Sequence, residues 1–169
     1  VGVAYGSLSL CLGFSVGRAY SLNLDGINAR SYCLLSDGEL DEGSNWEAML
    51  FANHMKLSNL CMIVDYNKIQ SLDSTENTLA LEPLEDKAKA FGFNVKRVDG
   101  HNIEQLIDAL DIKPKQTQNP SFILCDTTKG KGISFMENSV LWHYRSAQDN
   151  EYKDAKNELI ISINNLEKQ

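Results

Sequence analysis

Two short polar segments of this chain carry oxygen atoms of the kind that bind a hard metal ion. They are SDG at residues 36–38 and DYN at residues 65–67, and each ends an apolar run. Asn67 follows Asp37 by 30 residues, which is room for one helix and one strand. A right-handed strand–helix–strand unit places the ends of its two strands side by side. The Asp37 carboxylate, the Asn67 amide oxygen and a backbone carbonyl just beyond Asn67 are therefore predicted to bind Mg²⁺.

The same spacing also suits a phosphate ligand. Mg²⁺ keeps few protein ligands and completes its octahedron with phosphate oxygens and water. Gly38, directly after Asp37, lets backbone N–H groups approach an anion without a side chain in the way. The residues thus favour a clamp for Mg²⁺ and a diphosphate. The alternative is a pair of ordinary turns, because Asp-Gly and Asn are common turn residues.

Strands and helices alternate along the chain, and this pattern predicts how the two segments are positioned. Continuous apolar runs predict buried strands, and spacings of three and four residues predict helices. The predicted strands cover residues 30–35, 59–65, 94–98 and 121–126, and the predicted helices cover residues 9–24, 45–56, 83–91 and 152–166. The pattern indicates one α/β domain over residues 1–169. Its doubly wound, mostly parallel sheet would have helices on both faces and would bind ligands beyond the carboxyl ends of its strands.

Local signals refine three of these elements. Asn102 is predicted to cap a further helix, with Gln105 completing a capping box. A loop is predicted from Pro114 onward. The tail helix is predicted to be amphipathic, with one apolar stripe formed by Tyr152, Ala155, Leu159, Ile163 and Leu166.

Composition excludes several classes of function. The net charge is −7 and no Lys/Arg cluster occurs, so nucleic-acid and anionic-membrane partners are disfavoured. The four cysteines form no CxxC motif, and the histidines lack zinc-ligand spacing. We expect four buried, reduced thiols in a cytoplasmic protein. No signal peptide or membrane-length apolar stretch is evident.

Several motifs in order resemble a known family. They are YGSL, SDGELDEGSNWEA, IVDYNKIQS, LEPLEDKAKAFGF, VDGHN, TTKGKGISFMEN and the pair Trp142-His143. Together they resemble the amino-terminal, diphosphate-binding half of a transketolase, across nearly the whole chain. The resemblance implies the thiamine diphosphate-binding fold, the cofactors thiamine diphosphate and Mg²⁺, and transfer of a two-carbon ketol unit between sugars or sugar phosphates.

The resemblance also implies roles for individual residues. It implies that the metal is bound by Asp37, Asn67 and the carbonyl of Ile69. It implies that the cofactor is bound by Gly6, Leu8, Gly38, Glu39, Asn67 and His143. It implies that the catalytic residues are His143, Asp65 and Glu42. Each of these three also has a structural interpretation: a surface-loop histidine, a strand-end carboxylate and a solvated acid in a first helical turn, respectively.

The remaining basic residues have weaker assignments. Lys129 and Lys131 each precede a glycine in TTKGKG and either face a phosphate or are solvated. His54 is predicted to be structural, and His101 is predicted to belong to a turn and helix cap.

The resemblance further implies that this chain does not turn over alone. By analogy, the sugar-handling histidines lie upstream of Val1, and the glutamate that activates the aminopyrimidine lies in a second, pyrimidine-binding domain. We therefore expect a second chain that carries this domain, in a homo- or hetero-oligomer such as a dimer. The alternative is that the sequence is a fragment of a longer protein.

Departures from the family motifs keep other functions open. Ser9, Leu10 and Cys11 replace a glycine, a polar residue and a glycine; Ser36 replaces the first glycine of GDG; and SLD replaces IDG after the metal-binding segment. One alternative is therefore a degenerate, non-catalytic scaffold protein. Another is a related thiamine enzyme of the deoxyxylulose phosphate synthase or 2-oxo acid dehydrogenase type. A nicotinamide-binding domain is disfavoured because no GxGxxG joins a strand to a helix.

Overall fold

Four parallel strands form the centre of the molecule. In a computed structural model, which describes residue 2 and residues 6–111 and 118–166, they are β1 Ser31–Ser36, β2 Leu60–Tyr66, β3 Asn94–Asp99 and β4 Ser121–Asp126. Their order in the sheet is β1-β2-β4-β3, and every neighbouring pair is parallel. All four predicted strands are confirmed to within about a residue, and so is the α/β class.

Helices flank this sheet on both faces. In the described residues they are α1 Leu10–Leu24, α2 Gly43–His54, α3 Thr75–Thr78, α4 Leu84–Ala90, α5 Ile103–Leu110 and α6 Asp149–Leu166, with 3₁₀ turns at Gly38–Asp41 and Val140–His143. Helices α1, α2 and α4 share the larger apolar core with the sheet, and α5 covers a smaller core on the opposite face. The predicted doubly wound arrangement is therefore confirmed. No helix in the described part of the chain is both long and apolar enough to cross a bilayer.

The described residues cover strand β1 on one face only, which corrects the prediction of a buried strand. Its residues alternate between buried and exposed, and Tyr32 and Leu34 are 49% and 65% exposed. The reason is its place at the edge of the sheet. Helix α5, which lies on the other face of the sheet, packs mainly beside β3 at the opposite edge.

The predicted capping box of α5 is half correct. The Asn102 side chain accepts the Gln105 N–H at 3.0 Å, which confirms the N-cap. Gln105, however, accepts the N–H of Asp99 at 3.0 Å instead of that of Asn102. The Asn102 N–H already donates to the Asp99 carbonyl at 3.1 Å, so it needs no second acceptor.

Helix α6 departs from its predicted amphipathic burial. Of the predicted stripe, Ala155 is buried, while Tyr152, Leu159 and Ile163 are exposed. The Leu166 side chain lies outside the described residues, as does most of the loop predicted from Pro114. A polar contact helps hold the helix: the Glu158 carboxylate accepts the N–H and O–H of Ser134 at 2.6 and 2.7 Å.

A charged cluster holds the carboxyl ends of β3 and β4 together. Arg97 donates from Nε and Nη2 to both oxygens of Asp126 at 2.6 and 2.8 Å, and Lys68 lies 3.6 Å from the same carboxylate. Arg97 also lies 3.3 Å from Glu82 and from Glu85. Hydrogen bonds from Arg97 are the main cause of a lowered pKa at Asp126. The cluster thereby links the sheet edge to the loop after β2.

Asp126→Asn is expected to lower the free energy of unfolding by about 1 kcal/mol at neutral pH, because the Asp126 side chain is 36% exposed and solvent screens its bidentate pair. Because the pKa of Asp126 is lowered, its ionised form stabilises the fold at pH values above the ordinary aspartate pKa of 3.8. This stabilisation is lost as the pH falls through the folded-state pKa. The difference from the unsubstituted chain should therefore shrink in acid. Urea unfolding at several pH values measures it. Asp108→Asn, at a side chain 86% exposed, is the control; an equal loss at every pH would contradict the electrostatic cause.

Candidate functional site

The ends of β1 and β2 lie side by side, as the spacing of Asp37 and Asn67 predicts. The register pairs Ser36 with Asp65, and the Asp37 N–H donates to the Asp65 carbonyl at 3.1 Å. One residue beyond each strand, the chain turns away from the sheet. The polar segments 36–38 and 65–67 therefore share one edge of the sheet.

Asp37 is the most buried charged group at this edge, at 1% exposure. Its Oδ1 accepts the Gly38 N–H at 2.7 Å, and its Oδ2 accepts the Lys68 N–H at 2.6 Å. Burial raises the pKa of Asp37, the nearby Asp65 charge raises it further, and the backbone N–H bonds oppose both effects. An ionised Asp37 is therefore costly in this setting, and a cation would reduce that cost.

The turn after β2 carries Asn67 and Ile69, which line the same cleft as Asp37 and offer an amide oxygen and a backbone carbonyl. Lys68 has a left-handed conformation with φ 65°, and the Asn67 Oδ1 accepts the Ile69 N–H at 3.1 Å. Carboxylate and amide oxygens have more than one lone pair, so these hydrogen bonds leave capacity for a metal ion. A carboxylate, an amide oxygen and a carbonyl are hard ligands that suit Mg²⁺. Among the described residues, no three His, Cys, Asp or Glu side chains form a metal-binding group.

A cleft of about 160 Å³ opens at this edge. Its lining residues are Leu8, Ser36, Asp37, Gly38, Glu39, Asn67, Ile69, Gln70, Ser71, Lys129 and His143. Sites that enclose a small molecule usually measure about 300–1,000 Å³. The cleft formed by the described residues is therefore smaller than a typical enclosed small-molecule site.

The structure gathers most of the predicted site residues in this cleft. Those that line it are Leu8, Asp37, Gly38, Glu39, Asn67, Ile69 and His143. Gly6, Glu42 and Asp65 lie outside the lining. A side chain at Gly6 would meet nothing within 4 Å of the described residues, and Glu42 is exposed before α2, where its side chain makes no capping hydrogen bond. Asp65 accepts a hydrogen bond from the Thr127 hydroxyl, and its charge raises the pKa of Asp37 in the cleft.

Two lining residues are already engaged within the chain. The Gly38 N–H, predicted to hold a diphosphate, donates to Asp37. Glu39 accepts the Ser9 N–H at 2.8 Å through Oε1, so it ties the segment before α1 to the cleft. Anion binding at this edge must therefore rely on other donors or on a bound cation.

Gln70 lines the cleft and carries a side-chain donor that was not among the predicted site residues. The residue is 8% exposed, and its buried Nε2 has no hydrogen-bond partner in the described part of the chain. A buried donor without a partner is costly, and a ligand oxygen in the cleft would remove that cost. Its Cγ lies 3.2 Å from where a side chain on Gly38 would begin, so the glycine makes room for it. Its place directly after Ile69 was the available signal.

The loop after β4 brings Lys129, one of the two lysines of TTKGKG, to the cleft. Lys129 lines the cleft, whereas Lys131 lies 3.8 Å from Glu137. His101, predicted to belong to a turn, accepts the Thr128 N–H through Nε2 at 2.8 Å. It therefore fixes the residue next to Lys129.

Two substituted motif positions lie in or next to the cleft lining: Ser36 lines it, and Ser9 contacts the lining residue Glu39. Ser9 adopts φ 72°, a left-handed conformation that favours the glycine found there in the resembled motif. Ser36 lines the cleft, and its Oγ accepts the Glu39 N–H at 3.3 Å. Both serines are accommodated by the fold, and Ser36 adds a hydroxyl group to the site.

The sequence is similar to one protein family and to several known proteins. Residues 18–165 match the family model described as transketolase, thiamine diphosphate binding domain. The chain is 40% identical over 161 residues to the 6-deoxy-6-sulfo-D-fructose transketolase subunit SqwG of Clostridium sp. (strain MSTE9), covering 94% of this chain and 58% of that protein. It is also 40% identical over 155 residues to an apulose-4-phosphate transketolase subunit from Actinobacillus succinogenes, covering 91% and 55%. The chain thus spans a little over half of these two relatives.

Solved structures show the same fold. The crystal structure of transketolase from Campylobacter jejuni superposes with a TM-score of 0.78 at 30% sequence identity. The match covers 90% of this chain and 24% of the other.

Proposed function

The chain belongs to the transketolase family and corresponds to the thiamine diphosphate binding domain of that family. We propose that it binds thiamine diphosphate with Mg²⁺ in the cleft. The observation that carries the proposal is the convergence of Asp37, Asn67 and Ile69 at the ends of two adjacent parallel strands. Beside them lies the Gln70 side-chain donor, which has no partner among the described residues. The first three would hold the metal, and Gln70 would donate to an oxygen of the cofactor.

The local charges favour binding that depends on the metal. Asp37 and Glu39 line the cleft and would repel a diphosphate, while Lys129 supplies one positive charge. A divalent cation at Asp37 would reverse that balance and relieve the cost of its buried charge. We therefore expect thiamine diphosphate to bind weakly without Mg²⁺.

The remaining cleft residues would orient the ligand. When bound, thiamine diphosphate supplies an electron sink for cleaving and forming carbon–carbon bonds. His143, whose ring packs against Tyr144 with centroids 5.1 Å apart, would donate to the diphosphate or to the substrate. Asp65, held by Thr127, would act at a distance by keeping the potential at Asp37 negative.

A second polypeptide would complete the reaction. The described cleft is small. Two relatives are named transketolase subunits, and the chain spans a little over half of the length of each. We propose that a partner carrying a pyrimidine-binding domain supplies the acid that activates the cofactor. The assembled enzyme would transfer a two-carbon ketol unit between sugar phosphates.

Calorimetric titration of thiamine diphosphate, with and without Mg²⁺ and with and without a pyrimidine-domain partner, tests this proposal. We expect Mg²⁺-dependent heat, and ketol transfer from a ketose phosphate to an aldose phosphate only when both chains are present. Binding without transfer would favour a related thiamine enzyme or a different substrate. No heat under any condition would overturn the proposal in favour of a scaffold protein with a degenerate cleft, to which Ser9 and Ser36 would then be the first clues.

A further inference from the structure

Two cysteines from different elements touch on the larger-core face of the sheet. The Sγ atoms of Cys11, in the first turn of α1, and Cys33, in β1, lie 3.4 Å apart, and the residues are 22 positions apart in the chain. That separation is van der Waals contact between two sulfur atoms, whereas a disulfide bond is about 2.0 Å long. Cys33 is fully buried and Cys11 is half-buried, so Cys11 is the more exposed residue of the pair.

We propose that Cys11 and Cys33 are an oxidisable pair that closes an intrachain disulfide between α1 and β1. The oxidant belongs to the class of peroxides or small-molecule disulfides. With hydrogen peroxide, the Cys11 thiolate attacks one peroxide oxygen, the O–O bond breaks, and a sulfenic acid and hydroxide form. The Cys33 sulfur then attacks the Cys11 sulfur, its proton and the departing hydroxyl leave as water, and the S–S bond forms. Two thiols are oxidised and one peroxide is reduced to two waters.

The environments of the two thiols set the order of these steps. Burial raises the pKa of Cys33 to about 12, so this residue stays a thiol and reacts slowly with an external oxidant. Cys11 has partial access to solvent and is therefore the first to react. Cys33, already in contact, is placed to resolve the sulfenic acid before a second oxidation.

The other two cysteines provide an internal comparison. Cys61 and Cys125 are buried in the smaller core beneath α5, on the opposite face of the sheet. Burial raises the pKa of both thiols, that of Cys61 to about 12. Neither is exposed to solvent, so both should remain reduced when the first pair is oxidised.

The position of the pair gives the disulfide a consequence for the cleft. Leu8 lines the cleft and Ser9 donates to Glu39, and Cys11 follows two residues later. Strand β1 runs from Cys33 toward Asp37. A Cys11–Cys33 bond would therefore tether both segments that border this side of the cleft. Its formation does not depend on the cofactor, so it stands or falls separately from the proposed function.

Oxidation of the folded chain with hydrogen peroxide, followed by denaturation, alkylation and mass spectrometry, tests the proposal. We expect the loss of two alkylatable thiols and of two hydrogen atoms in mass, with a cross-link mapped between Cys11 and Cys33 and reversed by dithiothreitol. The Cys11→Ser variant should keep its three thiols alkylatable, while Cys61→Ser should still form the bond.

Three outcomes would overturn the proposal. One is that all four thiols remain alkylatable after treatment. Another is a cross-link that includes Cys61 or Cys125, or that joins two chains. The third is conversion of Cys11 to a sulfinic acid with Cys33 unchanged. Mapping of the unsubstituted chain decides among these outcomes even if a variant fails to fold.

Discussion

Replacing Asp37 with alanine is expected to abolish Mg²⁺-dependent binding of thiamine diphosphate. The carboxylate is the one charged group among the proposed ligands, and it lies 2.6 Å from the N–H of Lys68, in the turn that carries Asn67 and Ile69. We expect affinity to fall by more than about 100-fold, because groups that merely orient metal ligands are already worth 10–100-fold. Calorimetry at fixed Mg²⁺ measures the loss.

Two further variants separate metal binding from folding. Asp37→Ala also removes acceptors from the N–H groups of Gly38 and Lys68, so its fold must be checked by circular dichroism. Asp37→Asn keeps the size of the side chain and removes the charge, and it should show most of the loss. Asp108→Ala, at an exposed site on α5, should bind normally. Unchanged affinity in Asp37→Asn would show that this carboxylate does not bind the metal.

The raised pKa of Asp37 adds a pH dependence to the same experiment. Metal binding requires the ionised carboxylate, so affinity for Mg²⁺ should begin to fall at a higher pH than the ordinary aspartate value of 3.8 would give. In the metal-free chain, the raised pKa of Asp37 gives folding stability the opposite pH dependence to Mg²⁺ affinity. Its contribution is present at low pH and is lost as the pH rises through the folded-state pKa, and bound Mg²⁺ should restore it.

Gln70→Met is expected to weaken thiamine diphosphate binding by about 10- to 100-fold. Methionine keeps the length of the side chain and its packing beside Gly38 but removes the unpartnered Nε2 donor. A hydrogen bond to a charged oxygen contributes about 1.5–3 kcal/mol, which corresponds to this range. Gln70→Glu should weaken binding further, because it adds a negative charge to the cleft that contains Asp37.

The Gln70 prediction is distinct from the metal prediction. Affinity for Mg²⁺ alone should change little in Gln70→Met, whereas it should be lost in Asp37→Ala. Gln148→Met, at an exposed position, is the matched control. If Gln70→Met bound the cofactor as tightly as the unsubstituted chain, Gln70 would be a packing residue and the diphosphate would need another donor.

The order of the elements and the meeting of Asp37 with the Asn67 turn were predictable from the sequence. Apolar runs with turn residues at their ends specify strands locally, and a parallel strand–helix–strand unit has essentially one hand. Those two facts suffice to bring residues 36–38 and 65–67 to one sheet edge. The motif resemblance was equally local, and the family match over residues 18–165 confirms it.

Contacts between distant parts of the chain could be decided only by the tertiary structure. The exposure of Tyr32 and Leu34 follows from the edge position of β1, which no short segment encodes. The burial of Gln70 depends on Gly38, and the contact of Cys11 with Cys33 depends on how α1 lies on β1. Periodicity reports which face of an element is apolar, but the neighbour that covers that face is set by packing across the whole chain.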